Sequence, residues 1–166
     1  MKKRTFLSLA LTPTLLFATA AVTQAADKDK HGHGHGHGDH KRQTSPKGAK
    51  AYIVSPKDGK TVKRKFKVVF GLNGMGICPA GLTAQGVPIP DTGHHHLLID
   101  VDTLPPLNKP LSDQVPEKIK HFGKGQTETM LELPPGKHTL QLVLADYGHV
   151  PHNPPVVSKK ITITVK

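Results

Sequence analysis

The chain has 166 residues, a formal net charge of +11 at pH 7, and 12 histidines but only one cysteine. This length predicts one domain, and a single cysteine excludes an internal framework of disulfide bonds. Because tryptophan is absent and aromatic residues make up 4% of the chain, Val, Ile and Leu have to fill the core, and no binding of nucleic acid by base stacking is expected.

The first 25 residues have the layout of a secretory signal peptide. A basic start at residues 2–4 is followed by a mostly apolar run from Phe6 to Val22 and then by small residues. The apolar run is too short, and too often interrupted by Thr and Pro, to span a membrane comfortably. We therefore expect cleavage after residue 25 and a periplasmic or secreted protein without a stable membrane span. The alternative is a retained N-terminal anchor.

Residues 26–50 predict a disordered tail rich in His and Gly. The segment has almost no large apolar side chain, so burial cannot offset the entropy that ordering would cost. Within it, HGHGHGHGDH places five imidazoles on a flexible chain, at His31, His33, His35, His37 and His40. We expect these residues to bind metal ions with low specificity. The alternative is a solvated linker whose histidines become charged at low pH.

Residues 51–166 show the period of two that is typical of half-buried strands. Phe66, Val68 and Phe70, for example, share one face of a segment whose other face carries lysines. The pattern predicts strands over residues 51–55, 61–72, 94–102, 127–133, 138–146 and 157–165, and no segment shows a helical period. Short strands separated by turn signals favour an all-β, immunoglobulin-like β-sandwich. Two long segments rich in Gly and Pro, 73–93 and 103–125, are predicted to be functional loops.

The histidines of this domain lie at strand ends and in loops. His94 and His96 share one side of a predicted strand, where alternate residues lie about 6.6–7 Å apart, so two imidazoles can converge on one ion through bonds of about 2 Å. Loops gather at the ends of a sandwich, and this predicts a shared metal site built from His94, His96, His121, His149 and His152. His95, on the apolar side, is predicted to be a satisfied buried histidine, and His138 a polar surface residue.

The identity of the metal stays open, because neutral imidazole suits copper, nickel and zinc alike. Met75 and Cys78 are candidate soft ligands for Cu(I); the alternative is a methionine packed on the core and an incidental thiol. Asp100, Asp102 and Asp146 are candidates for orienting the ring N–H of a ligand, and ordinary roles in turns and at strand ends explain them equally well.

Several strings resemble a family of small secreted bacterial domains of unknown function. They are TGHHHLLIDVD, HFGKGQTETMLELPPGKHTLQLVLAD and HVPHNPPVVS, and SPKDGKTV and VVFGLNGMG fit the same pattern. The resemblance covers roughly Ala51 to Val165; the His-Gly tail lies outside it, and Cys78 stands where a small residue is expected. It implies an envelope protein with a compact β fold, and it supplies no activity and no catalytic residue.

Together these features predict an exported metal-binding protein that buffers, carries or senses copper, nickel or zinc. The alternative is an adhesion or scaffold module that binds an anionic envelope component, since ten Lys or Arg stand against one acid between Lys41 and Lys67. A third class, an enzyme with Glu128 as general base, is not expected, because the sequence has no nucleophile elbow, no HExxH and no phosphate-binding Gly loop.

Overall fold

The computed structural model describes residues 41–80, 88–111, 114–115 and 117–166. The predicted signal peptide and the five tail histidines lie outside these residues. Within the described part, nine strands form and no α-helix occurs: β1 (Lys50–Ser55), β2 (Thr61–Val62), β3 (Lys65–Asn73), β4 (Gly76–Ile77), β5 (Thr92–Ile99), β6 (Ile119–His121), β7 (Glu128–Glu132), β8 (Gly136–Ala145) and β9 (Ile161–Val165). Among these residues, no helix is long and apolar enough to cross a membrane.

The strands are arranged in two sheets. One sheet has three strands in the order β1-β3-β7, and the other has the order β2-β9-β8-β5-β4, with β6 also paired to β5. All pairs are antiparallel except β2 with β9 and β4 with β5. This is the all-β, immunoglobulin-like sandwich that the sequence predicts, and the prediction is confirmed.

The main core fills the space between the two sheets. It is built from the inward residues of the period-two pattern, which include Val68, Leu97, Leu131, Leu142 and Ile163, each with at most 1% of its surface exposed. Burial of one such side chain contributes about 1.5–3 kcal/mol. The aliphatic residues therefore carry the core without tryptophan.

Strands β5 and β8 are buried on both faces. Their outer face is covered by a second apolar cluster in which Leu98 and Val143 contact residues contributed by the long segment after β5, including Leu111 and Ile119. Seven consecutive residues of β5, from Gly93 to Ile99, are buried as a result. The described residues of the predicted functional loop 103–125 thus fold over the sheet and contribute their own short strand, β6.

Several strand boundaries differ from the prediction. Strand β5 ends at Ile99 because Asp100 takes a positive φ of 54°, a conformation that leaves the extended region. The segment predicted as one strand over 61–72 is divided into β2 and β3. Strand β9 begins at Ile161, four residues after the predicted start.

The domain begins before Ala51. Arg42 Nε donates to the Pro151 carbonyl at 2.9 Å, Asn153 N donates to the Gln43 carbonyl at 2.8 Å, and the buried Ser45 donates through Oγ to the Pro154 carbonyl at 2.8 Å. The prediction of disorder as far as residue 50 was therefore wrong for residues 41–50. The segment has no large aliphatic or aromatic side chain but is attached by polar and backbone hydrogen bonds, which hydrophobic patterning does not reveal.

Candidate metal centre

Four histidines converge on the outer face of the six-stranded sheet. His94 and His96 alternate along β5 and point away from the main core, and His121 on β6 is paired directly with His96. His149 reaches the same place from the turn after β8. One ring nitrogen of each of the four lies within 4.8 Å of the ring nitrogens of the others. We call these four residues the His cluster.

The rings of the His cluster surround a common centre. Their centroid separations run from 4.7 Å, between His121 and His149, to 6.0 Å, between His96 and His149. His94 Nε2 lies 3.2 Å from His149 Nδ1. At these distances all four side chains can present nitrogen to one ion.

The turn that carries His149 is held by backbone hydrogen bonds. His149 has a φ of 63°, which is uncommon for a residue other than glycine and costs conformational energy. The Asp146 carboxylate accepts from Gly148 N at 2.9 Å and Val150 N at 3.1 Å, while His149 N donates to the Asp146 carbonyl at 2.9 Å. From the covering loop, Leu111 N donates to the His149 carbonyl at 2.9 Å. These bonds fix the unusual backbone that points His149 at the cluster.

His121 depends on a glycine two residues later. A Cβ atom at Gly123 would lie 2.3 Å from His121 Cε1 and 2.5 Å from His121 Nε2. Real Cβ atoms do not approach other atoms so closely, so the ring can occupy this position only because residue 123 has no side chain.

Burial leaves several ring nitrogens of the cluster unsatisfied. His94 and His96 are 0% exposed, and His94 Nδ1 and both nitrogens of His96 have no hydrogen-bond partner among the described residues. Leaving a buried polar group unpaired costs about 1–3 kcal/mol, and buried unpaired groups in native proteins call for an explanation. An ion bound by these imidazoles would supply a partner for one nitrogen on each ring.

Three of the four imidazoles are held in the neutral form. Burial, followed by the neighbouring His149 and His121, lowers the pKa of His94 to about 3. Burial and then His94 lower the pKa of His96 well below its usual value, and burial lowers the pKa of His121. Neutral imidazole is the form that binds metals, so these lowered pKa values favour metal binding.

The donor set restricts the kind of ion. No carboxylate or thiol joins the His cluster within the described ranges, whereas calcium and magnesium require oxygen ligands. Neutral nitrogen ligands suit zinc, copper and nickel. His121 is exposed and His149 half-buried, so the centre is open to solvent on that side and closed on the β5 side.

His152, the fifth predicted ligand, is not part of the His cluster. It is fully buried, and its Nε2 lies 3.1 Å from the Thr92 carbonyl oxygen. Pro151 forms a bridge with Ala145, which turns the chain back and places His152 beside Gly93 at the start of β5. The H-x-x-H spacing predicted that His149 and His152 bind the same ion. The turn between them instead directs the two side chains to different places.

The other predicted histidines have different surroundings from those expected. His95 is buried in the main core with its ring centroid 5.2 Å from that of Phe70, but neither ring nitrogen has a partner in the part of the chain described, so it is buried without being satisfied. His138 is not a surface residue. It is buried, with Nδ1 2.7 Å from Asp100 Oδ2 and Nε2 2.9 Å from the Pro134 carbonyl oxygen.

Of the aspartates and sulfur-containing residues that the sequence analysis named as possible ligands or partners of ligands, only Asp146 lies in the turn that carries a residue of the His cluster. Asp100 pairs with His138 and not with the His cluster, whereas Asp146 shapes the turn that carries His149. Asp102 is exposed, and its carbonyl accepts from Lys160 Nζ. Met75 packs against the main core, and Cys78 is buried with Sγ 3.5 Å from the Pro79 carbonyl oxygen. Neither sulfur belongs to the cluster.

The basic face predicted as an alternative binding surface is partly neutralised by acidic residues. Lys67 Nζ lies 2.8 Å from a carboxylate oxygen of Glu128, and Lys65 is the register partner of Glu132 on β7. These glutamates belong to β7, which is distant in sequence, so the charge count between Lys41 and Lys67 did not include them and overstated the positive charge of this face.

Comparison with known proteins identifies a family and a few distant structures. Residues 68–166 match the model of the family described as Domain of unknown function (DUF4399), which confirms the resemblance seen in the sequence. No curated protein matches the chain. Among solved structures, the endo-beta-1,4-mannanase from Thermotoga petrophila aligns over 71% of this chain and 20% of its own, with 16% identity and a TM-score of 0.37. The fibronectin(III)-like modules of CbhA from Clostridium thermocellum align over 70% and 45%, with 9% identity and a TM-score of 0.33. The chain thus spans less than half the length of either structure.

Proposed function

This chain belongs to the DUF4399 domain family, and we propose that it is an exported protein that binds a transition-metal ion through His94, His96, His121 and His149. The observation that carries the proposal is the convergence of four imidazoles, with ring nitrogens within 4.8 Å of one another, on one face of the sandwich. Copper, nickel and zinc are the ions whose ligand preferences fit this donor set.

Burial makes a purely structural role for the His cluster costly. His94 and His96 together leave three buried ring nitrogens without a partner among the residues described, on a face where their neighbour Leu98 packs in an apolar cluster. Aliphatic residues at these positions would avoid the cost of about 1–3 kcal/mol for each unpaired group. A bound ion would pair with one nitrogen of each ring and so offset part of that cost, which explains imidazoles at positions that packing alone would fill with Val or Leu.

The site favours binding over catalysis. Four protein ligands close a tetrahedral coordination shell, whereas catalytic zinc sites use three and keep a position open for water or substrate. The buried pair on β5 would retain the ion, and the exposed His121 would give it a route in and out. We therefore propose a role in buffering, carrying or sensing a metal in the periplasm, with the His-Gly tail as a collector of low specificity. The basic and apolar start of the sequence supports export.

A calorimetric titration with Cu²⁺, Ni²⁺ and Zn²⁺ tests the proposal. The chain from residue 26 onward is used, with His31, His33, His35, His37 and His40 each changed to Asn so that only the domain is measured. We expect saturable binding of one equivalent, lost in His94→Ala/His96→Ala and weakened at least tenfold in His121→Asn, because each change removes ligands from the same ion. His138→Asn is the matched control and should bind like the parent.

The titration needs a check of folding and a stated result that would contradict the proposal. Because the double variant alters buried residues, its fold is checked by circular dichroism, and the exposed His121→Asn provides an independent reading. Saturable binding that appears only when the tail histidines are restored would contradict a site in the domain.

A further inference from the structure

The spacing of the four rings distinguishes between the common four-coordinate geometries. Imidazole nitrogen binds zinc at about 2.0–2.1 Å, and a ring centroid lies roughly 1.2 Å behind its nitrogen, so each centroid would stand about 3.2 Å from the ion. A tetrahedron then has six equal centroid separations of about 5.2 Å, whereas a square plane has four of about 4.5 Å and two of about 6.4 Å. In the His cluster five separations fall between 4.7 and 5.1 Å and one is 6.0 Å.

The one long separation does not make the arrangement planar. It joins His96 to His149, at 6.0 Å. In a square plane the remaining pair, His94 and His121, would also face each other across the centre and be equally far apart, but its separation is 4.9 Å. The four rings therefore form a tetrahedron that is opened along one edge.

The backbone resists a change to planar geometry. Moving His94 and His121 to opposite corners of a square would separate their rings by roughly 1.5 Å more. His94 is on β5 and His121 on β6, and the two strands are joined through the His96–His121 and Leu98–Ile119 register pairs. His149 is fixed by the hydrogen bonds of its turn.

We propose that the His cluster is a tetrahedral four-imidazole centre whose resident ion is Zn²⁺, an inference that rests on the proposed function and deepens it. Zn²⁺ has no electronic preference of geometry and is almost always tetrahedral in closed sites. Cu²⁺ and Ni²⁺ favour square-planar or tetragonal surroundings, and Cu⁺ favours thiolate and thioether ligands, which the cluster lacks. The donor atoms alone do not distinguish Zn²⁺ from Cu²⁺ and Ni²⁺, but the spacing of the rings does.

Cobalt substitution reads the geometry directly. The chain from residue 26 onward, with the five tail histidines changed to Asn, is titrated with Co²⁺ and followed by visible absorption, and then with Zn²⁺ and Ni²⁺ in competition. We expect the intense d–d bands of tetrahedral Co²⁺, bleached by one equivalent of Zn²⁺, and a Zn²⁺ affinity at least tenfold above that for Ni²⁺. An unconstrained nitrogen site gives zinc no such advantage over nickel. His121→Asn should weaken the tetrahedral bands, and His138→Asn should leave them unchanged.

Failure of this inference can be separated from failure of the proposed function. Weak octahedral Co²⁺ bands, or tighter binding of Ni²⁺ than of Zn²⁺, with binding still dependent on His121, would overturn the tetrahedral zinc centre and leave a metal site in place. No saturable binding of any of the three ions by the variant lacking the tail histidines would overturn both.

Discussion

Gly123 and His121 form a pair in which the glycine makes room for a candidate ligand. The overlap that an alanine Cβ would create is with the tip of an exposed ring, which can rotate away. Gly123→Ala should therefore change the free energy of unfolding by less than about 1 kcal/mol but lower the metal affinity at least tenfold. Calorimetry and urea denaturation of the same variant measure the two effects. In a His121→Asn background the glycine change should have no further effect on affinity, and an independent loss there would contradict the pairing.

His138 and Asp100 form a second pair, which joins the end of β5 to β8. Burial lowers the pKa of His138, but the hydrogen bonds to Asp100 and to the Pro134 carbonyl outweigh it, so the pKa is raised overall. Stability from a raised pKa is fully present below the unfolded value of about 6.5 and is lost as the pH rises through the folded value.

The consequence can be measured with Asp100→Asn, which retains an acceptor for Thr139 N. Because the Asp100 side chain is 42% exposed, we expect the variant to lose only about 1 kcal/mol at pH 6, with the difference from the parent shrinking towards pH 9. Urea denaturation across this range gives both curves. A difference that does not depend on pH would show that His138 is not the titrating group.

At the level of single residues, the sequence predicted all four histidines of the His cluster but grouped His152 with them. His94 and His96 share one face because alternate residues of a strand do so, and the strand itself can be recognised from the sequence. The separation of His152 from the His cluster depends on the turn around Pro151. The role of Gly123 depends on the position of the His121 ring. Both are features of the tertiary structure that local sequence does not reveal. The pairing of Asp100 with His138 likewise depends on the register between two strands.

The turn after β8 is the element that completes the His cluster. Asp146 accepts two backbone hydrogen bonds there, from Gly148 N and Val150 N. Hydrogen bonds to a charged group contribute about 1.5–3 kcal/mol each, so Asp146→Ala should destabilise the domain by about 3–6 kcal/mol and weaken metal binding as the positive φ of His149 relaxes. Thermal unfolding and calorimetry test this. Stability loss without any change in metal affinity would mean that His149 keeps its position without the carboxylate.

Strand β5 shows how far periodicity can predict an element. The alternation of its side chains was predicted correctly, because one face meets the main core. Burial of the other face depends on the segment after β5 folding back over the sheet and forming β6, and β6 is only three residues long. Short strands at the edge of a sheet carry too few residues for a period to be recognised.

For the molecule as a whole, a bound ion should stabilise the fold. An ion that binds only the native state contributes about 2.7 kcal/mol at a concentration one hundred times its Kd, which for a domain of this size corresponds to a rise in Tm of about 10 °C. Differential scanning calorimetry of the variant lacking the tail histidines, with and without Zn²⁺, checks this. A Tm that does not move, or that moves equally in His94→Ala/His96→Ala, would contradict binding at the cluster.

The all-β sandwich itself was predictable because its core depends on local alternation and turn residues. The start of the domain was not, since residues 41–50 are attached by hydrogen bonds to the segment around Pro151 and Asn153, more than a hundred residues away. The same limit applies to the basic face, where the glutamates of β7 meet the lysines of β3 only in the folded sheet.

The most direct test of the account is a crystal structure of the chain from residue 26 onward grown with Zn²⁺, with anomalous diffraction recorded at the zinc absorption edge. The account predicts one strong anomalous peak on the outer face of the six-stranded sheet, about 2.0–2.1 Å from a ring nitrogen of each of His94, His96, His121 and His149. A cluster without an anomalous peak in crystals that hold zinc elsewhere would contradict it.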